Sequence, residues 1–204
     1  MQQLPLSFYN KNNVVHIAKQ LIGTIIITQF NGQTTSGRIV ETEAYIGLTD
    51  KASHSYNAKR TTRNEHMYAQ AGTAYVYICY GMHHLFNVVT NKKMVPDAVL
   101  IRAIEPMQGI AYMLQRTGKP MANYTLTKGP GNVSKALGID KIHSGSNLLL
   151  ANSSITIVQG GVQFEPHEIG ASKRIGVESA AEAANYPYRF YVKGNKYVSG
   201  SPVR

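Results

Sequence analysis

One cysteine, Cys79, stands in the 204 residues, so no internal disulfide framework exists, and neither does a zinc site that needs two thiolates. Long apolar runs are missing as well. No stretch approaches the ~18 residues of a membrane-spanning helix. The opening Met1-Gln-Gln-Leu-Pro5 lacks a basic segment followed by an apolar one, so no signal peptide is expected and a cytoplasmic setting is the natural reading. Acidic residues are scarce: 11 against 21 Lys and Arg, for a formal charge of +10. An excess of this size favours a polyanionic partner through counterion release. The basic residues are spread along the chain, which suits a broad binding face better than a basic tail.

Catalytic signatures are also thin. Neither an HExxH nor a CxxC pattern occurs, and His83-His84 would point to opposite faces of a strand, so no metal is expected. The G-x-S-x-G elbow is absent, and Cys79 lies in an apolar strand, which leaves nucleophilic Ser or Cys catalysis without support. Gly129-Pro-Gly131 is not a Walker loop, because its spacing is wrong. It can still present free N–H groups to a phosphate at a helix start, or serve only as a turn and cap.

What is present centres on Arg38-Ile-Val-Glu-Thr-Glu-Ala-Tyr45. Side chains alternate across a strand, so Glu41, Glu43 and Tyr45 share a face, with same-face neighbours roughly 6.5–7 Å apart. A carboxylate beside an aromatic platform suits a flat ligand stacked on the ring while the acid works at its edge. In a cationic protein a nucleobase fits that description. Position alone hardly separates Glu41 from Glu43; adjacency to Tyr45 favours Glu43. Tyr75 and Tyr77 share a face of a second strand, and core packing with a bonded hydroxyl is the better reading for Tyr75. Tyr80, at a strand tip before Gly81, could wedge into the DNA minor groove.

The remaining pattern predicts an α+β single domain over residues 1–204. Asn12-Asn13 caps a helix over Val14–Ile22, and Asn31-Gly32 marks a hairpin. Residues 47–72 form a long polar loop of the functional or mobile kind. Strands are expected at Ala74–Tyr80, His84–Thr90, Val99–Ile104, Leu148–Leu150, Ile155–Val158 and Tyr188–Val192. Helices are expected from Glu105-Pro106 to Gly118, from Gly131 to Gly138, and over about 179–185.

An ordered set of motifs adds a resemblance. Arg38–Tyr45, Ala52-Ser-His-Ser55, Arg63-Asn64, Ala74–Met82, Asn87-Val88 and Leu100-Ile-Arg-Ala-Ile-Glu-Pro106 closely resemble the alkyladenine (3-methyladenine) DNA glycosylase family. Lys128-Gly-Pro-Gly131, Arg174-Ile-Gly176 and Arg189-Phe-Tyr-Val192 look like its later blocks. The resemblance implies a mixed, mostly antiparallel curved sheet with surrounding helices and a protruding hairpin that enters the minor groove. It implies Glu43 as the base that activates water, Arg102 and the Ile175 backbone as its helpers, and Tyr45, His54 and Tyr77 as the base pocket. Asn87 would exclude guanine, Tyr80 would be the wedge with Met82 beside it, and Lys128, Gly129, Gly131 and Arg63 would meet the DNA backbone. The substrate would be damaged double-stranded DNA bearing alkylated or deaminated purines. No cofactor, metal, membrane or obligate protein partner is implied, and a monomer is the default. Ala71 departs from a proline common in the family, and His83-His84 falls where members vary. Two rivals are a non-catalytic nucleic-acid-binding module, which has no use for Glu43, and a nucleoside hydrolase, which needs no exposed wedge.

Overall fold

The computed structural model describes residues 2–200; Met1 and positions 201–204 of the expected domain lie outside the described residues. The chain opens with two short helices, α1 (Leu6–Tyr9) and α2 (Val14–Gln20). Asn13 caps α2 by accepting the His16 N–H at 2.9 Å, and Val14, Ile17 and Ala18 turn inward. Strands β1 (Ile25–Phe30) and β2 (Gln33–Tyr45) form a hairpin through Asn31 and Gly32. Both turn residues take positive φ, 51° and 73°, the demand of a two-residue turn that matches strand twist.

After the long loop come β3 (Ala74–Cys79), β4 (His83–Thr90) and β5 (Asp97–Gln108), then α3 (Ile110–Thr117) and α4 (Pro130–Leu137). The chain ends with β6 (Ile155–Val158), β7 (Ile169–Ser172) and β8 (Arg189–Val192). The eight strands make one sheet with the path β3-β4-β5-β2-β1-β6, while β8 joins β2 and β7 joins β8. This is a single α+β domain. Every pairing of these strands is antiparallel, where a mixed sheet was expected.

β2 is the spine. Its first half pairs with β1, residues 41–43 pair with β8, and β5 runs along its other edge. Partners on both edges and packing on both faces explain why its second half is buried almost without interruption. On one face α2 lies across it, with the Thr42 hydroxyl donating to Ala18 O at 2.9 Å. Beyond a register shift between Ser36 and Gly37, the β2–β5 ladder skips at two adjacent places. Ile39 pairs with Ile104 and Glu41 with Ala103, which leaves Val40 as an extra residue on β2. Thr42 then pairs with Ile101, which leaves Arg102 as an extra residue on β5. Such bulges re-aim side chains.

Three expectations are corrected, and one strand appears that was not foreseen. The helix read from Glu105-Pro106 starts instead at Ile110, because β5 runs through to Gln108. Pro106 is tolerated because β4 pairs with β5 only up to Leu100, so its missing N–H breaks no ladder bond on that side. Leu148–Leu150 is a turn rather than a strand, with Leu148 plugging the core. The helix at 179–185 is a 3-10 turn over Ala181–Asn185, entered with φ 51° at Ala181. β7 was not expected, since Ile-Gly-Ala-Ser carries little strand propensity. It forms because Gly170 lets the Tyr191 ring approach to where a Cβ would sit 2.5 Å from it.

Candidate active site

Alternate residues of four neighbouring strands build one wall. Tyr75, Tyr77 and Cys79 come from β3, Leu85 and Asn87 from β4, Ala98, Leu100 and Arg102 from β5, and Tyr45 from β2. The 52–54 loop, Arg63, Met67 and Ile175–Val177 close the other sides around a cavity of about 390 Å3. That size suits a single small ligand.

Glu43 lies directly beneath this surface and is 0% exposed. Its Oε1 accepts the Ile175 N–H at 2.8 Å and lies 3.3 Å from Arg102 Nη1. Its Oε2 accepts the Tyr45 hydroxyl at 2.7 Å. Tyr45, Arg102 and Ile175 all line the cavity, so the acid is one side chain below it, held by two hydrogen-bond donors and an ion pair. An ionised carboxylate offers about four lone-pair sites, and Oε2 keeps one that no described residue fills. Burial, and then the Glu43 charge, push the Tyr45 phenol well above its ordinary pKa, so it remains a donor. Burial pulls Arg102 down, but Glu43 and Glu41 outweigh it and hold the guanidinium above its usual value.

The Tyr45 ring is backed by Arg174, whose guanidinium carbon stands 4.7 Å from the ring centroid. Arg174 is itself clamped by Asp50, by the Ala44 carbonyl at 2.8 Å and by the Ala183 carbonyl at 3.0 Å. The cavity lining also holds an aromatic trio. His54 meets Tyr77 edge-on at 4.5 Å between centroids, and Tyr75 stacks on Tyr77 at 5.5 Å. His54 Nδ1 bonds the Tyr75 hydroxyl at 2.8 Å. Burial, with Arg63 and Lys59 nearby, brings the His54 pKa down to about 4, so the ring is neutral at pH 7. Tyr75 combines the buried, bonded position expected of it with a place in the cavity wall.

The long loop is fastened rather than free. Buried Asn64 donates to the carbonyls of His54 at 2.9 Å and Lys59 at 2.8 Å, and to the Ser55 hydroxyl at 3.1 Å. Asn87 is tied too, its amide donating to the carbonyls of Tyr75 at 3.1 Å and Leu85 at 3.2 Å. Arg63 lies 5.3 Å from the Tyr77 ring and donates to Ile78 O at 3.2 Å, which puts it in the cavity wall.

The β3–β4 hairpin turns over Cys79–Met82, with Tyr80 and Gly81 at φ 50° and 72°. A left-handed tyrosine is a strained conformation of the kind that gathers at functional sites. Tyr80 is 85% exposed and Met82 70%, and Tyr80 also lines the cavity. Gly129 (φ 90°) caps α4, and Gly131 lies against the His83 ring beside the hairpin turn. Lys128 bridges to Ala103 and holds its ammonium 5.5 Å from the Tyr124 ring.

Sequence reasoning gave Asp50 and Asn64 no part in the site and weighed Glu41 only as an alternative to Glu43. Asn64 stood in a motif, but no local pattern tells which carbonyls an amide will reach. Among the described residues no group of three or more His, Cys, Asp or Glu side chains could hold a metal ion, and no helix is long and apolar enough to cross a membrane.

Residues 7–196 match the family model described as Methylpurine-DNA glycosylase (MPG). A Clostridium perfringens protein named "Putative 3-methyladenine DNA glycosylase" is 43% identical over 204 residues, covering 97% of this chain and 98% of its own. Proteins of the same name from Desulfitobacterium hafniense and Chlamydia felis are 43% and 44% identical, covering 98% and 95% of this chain and 99% and 97% of their own.

Proposed function

Because this chain belongs to the methylpurine-DNA glycosylase family, we propose that Glu43 is the base that drives its hydrolysis of damaged nucleotides. The enzyme is a 3-methyladenine DNA glycosylase, a hydrolase of N-glycosyl bonds acting in base excision repair. It takes DNA as its substrate, and the non-catalytic binding module is set aside.

In this reading the cationic surface holds duplex DNA without regard to sequence. The β3–β4 hairpin enters the minor groove, and Tyr80, with Met82 beside it, fills the gap left by the extruded nucleotide. Extrusion costs a few kcal/mol, least where damage already weakens pairing. The purine lies on the open face of Tyr45, with His54 and Tyr77 opposite, and Asn87 excludes an intact guanine. Lys128, Gly129 and Gly131 meet the phosphates. Arg63, set in the cavity wall, meets the backbone near the flipped nucleotide.

A water on the free lone pair of Glu43 Oε2 attacks C1′. The C1′–O bond forms as the C1′–N bond breaks, the purine leaves with the electron pair, and Glu43 takes the proton of water. Arg102 and the Ile175 N–H keep the carboxylate aimed. A methylated, cationic purine leaves as a neutral molecule; a neutral one such as hypoxanthine needs a proton on its ring. The substrate range is 3-methyladenine, 7-methylguanine, hypoxanthine and ethenoadenine, and the products are the free base and an abasic site.

The observation that supports this reading is the grip of two hydrogen bonds and one ion pair on Glu43 beneath a cavity with aromatic walls. Incubating the enzyme with duplexes that carry each damaged base, with free nucleosides and with RNA tests it. Base release from the duplexes alone is expected; release from nucleosides, or from no damaged duplex, overturns it.

A further inference from the structure

Among the buried acids that the scheme above leaves unused is Glu41. Glu41 is 0% exposed and lies two residues before Glu43. Its Oε1 accepts from Arg102 Nε at 3.0 Å, Arg189 Nε at 2.7 Å and the Ser199 hydroxyl at 2.8 Å. Its Oε2 accepts the Ser199 N–H at 2.7 Å. The Ser199 oxygen also accepts from Arg102 Nη2 at 3.1 Å, and Arg189 Nη2 donates to the Ser199 carbonyl. Two guanidiniums and two carboxylates thus form one buried group whose formal charges cancel.

Stability alone does not account for such a group, since well-packed apolar residues generally do as well or better than buried ion pairs. Its geometry has a more specific use. A guanidinium is a rigid plane, and Nε is its point of attachment to the side chain. Fixing Nε on Glu41 and Nη2 on Ser199 leaves Nη1 one direction, toward Glu43 Oε1 at 3.3 Å. We infer that Glu41 is a positioning residue for the excision step: together with Ser199 it locks the Arg102 guanidinium against Glu43. The bulge that makes Arg102 an extra residue on β5 puts the plane within reach of both acids. Ser199, near the end of the described chain, becomes a working part of the centre. This inference rests on reading Glu43 as the base.

The test is single-turnover release of 3-methyladenine from methylated duplex DNA by the full chain. Glu41→Gln, Ser199→Ala, Arg102→Gln and the doubles with Arg102→Gln are compared, with thermal unfolding as a check on folding. Loss of an outer partner typically lowers activity 10–100-fold, so Glu41→Gln and Ser199→Ala should each slow excision about tenfold or more. Binding of the damaged duplex should stay within about twofold, because only the chemical step is affected. The doubles should be no slower than Arg102→Gln alone, since both residues act through that guanidinium. Wild-type rates in Glu41→Gln and Ser199→Ala, or losses that multiply in the doubles, overturn the inference. If Glu41→Gln does not fold, Ser199→Ala and its double complete the same cycle. Glu43→Gln separates the two readings. Excision retained by that variant defeats the base assignment, whereas its loss beside a wild-type Glu41→Gln defeats only the positioning role.

Discussion

The Tyr45 hydroxyl donates to Glu43 Oε2 at 2.7 Å, although the two side chains leave the same strand two residues apart. A ring that would serve as the stacking surface is therefore pinned at its edge by the acid and on one face by Arg174. Platform and carboxylate cannot move independently, so a flat ligand resting on the ring would be registered against the acid.

Glu43→Gln keeps the shape of the side chain and can still accept the Ile175 N–H, but it cannot take a proton. Single-turnover excision should fall by about 10²–10⁴-fold, the usual share of a general base, with damaged-duplex binding retained. Excision near the wild-type rate in that variant removes Glu43 from the chemistry.

Tyr80→Ser removes the exposed ring from the turn. The ratio of damaged to undamaged duplex affinity should drop, because nothing then fills the gap beside the flipped nucleotide. A wild-type ratio in a fluorescence-anisotropy titration contradicts the wedge assignment.

His54 makes stability depend on acidity. Its folded pKa, about 4, lies below the ordinary 6.5, so the unfolded chain binds more protons between these values. The contribution is present above pH 6.5 and lost as pH falls toward 4, to the extent of roughly 2–3 kcal/mol. Urea unfolding at steps from pH 7 to 4 should show this loss in the wild type and much less of it in His54→Gln. Equal slopes in the two proteins count against it.

Asp50→Asn leaves Arg174 without its carboxylate in a buried setting. Breaking such a pair destabilises by about 3–5 kcal/mol. Excision should fall too, because Arg174 backs Tyr45 and precedes the Ile175 N–H that grips Glu43. A urea midpoint unchanged from wild type refutes the structural role.

Affinity for any duplex should decline steeply and linearly in log–log form as salt rises, since neutralised phosphates release counterions with a slope of about −0.9 per contact. A flat response would leave the net charge of +10 without a part in DNA binding.

Much of this was legible in the sequence for local reasons. The period of two placed Glu41, Glu43 and Tyr45 on one side, and Asn31-Gly32 announced its turn. Other features depend on contacts distant in the chain. Pro106 resembles a helix start until the short reach of β4 is known. β7 has no strand-like composition and exists only against β8. Glu41 and Glu43 look interchangeable in sequence, yet one meets two guanidiniums and the other a phenol and a backbone amide. That division depends on Arg189, Ser199 and Ile175, each more than a hundred residues away.

The compensating irregularities at Val40 and Arg102 have a mechanical corollary. Removing either residue alone would leave the pairing one step out of phase, and a one-step slip exchanges inside for outside all along a strand. A chain shortened at only one of these points could still hold its hairpins, but the Glu43 and Arg102 side chains would look in opposite directions.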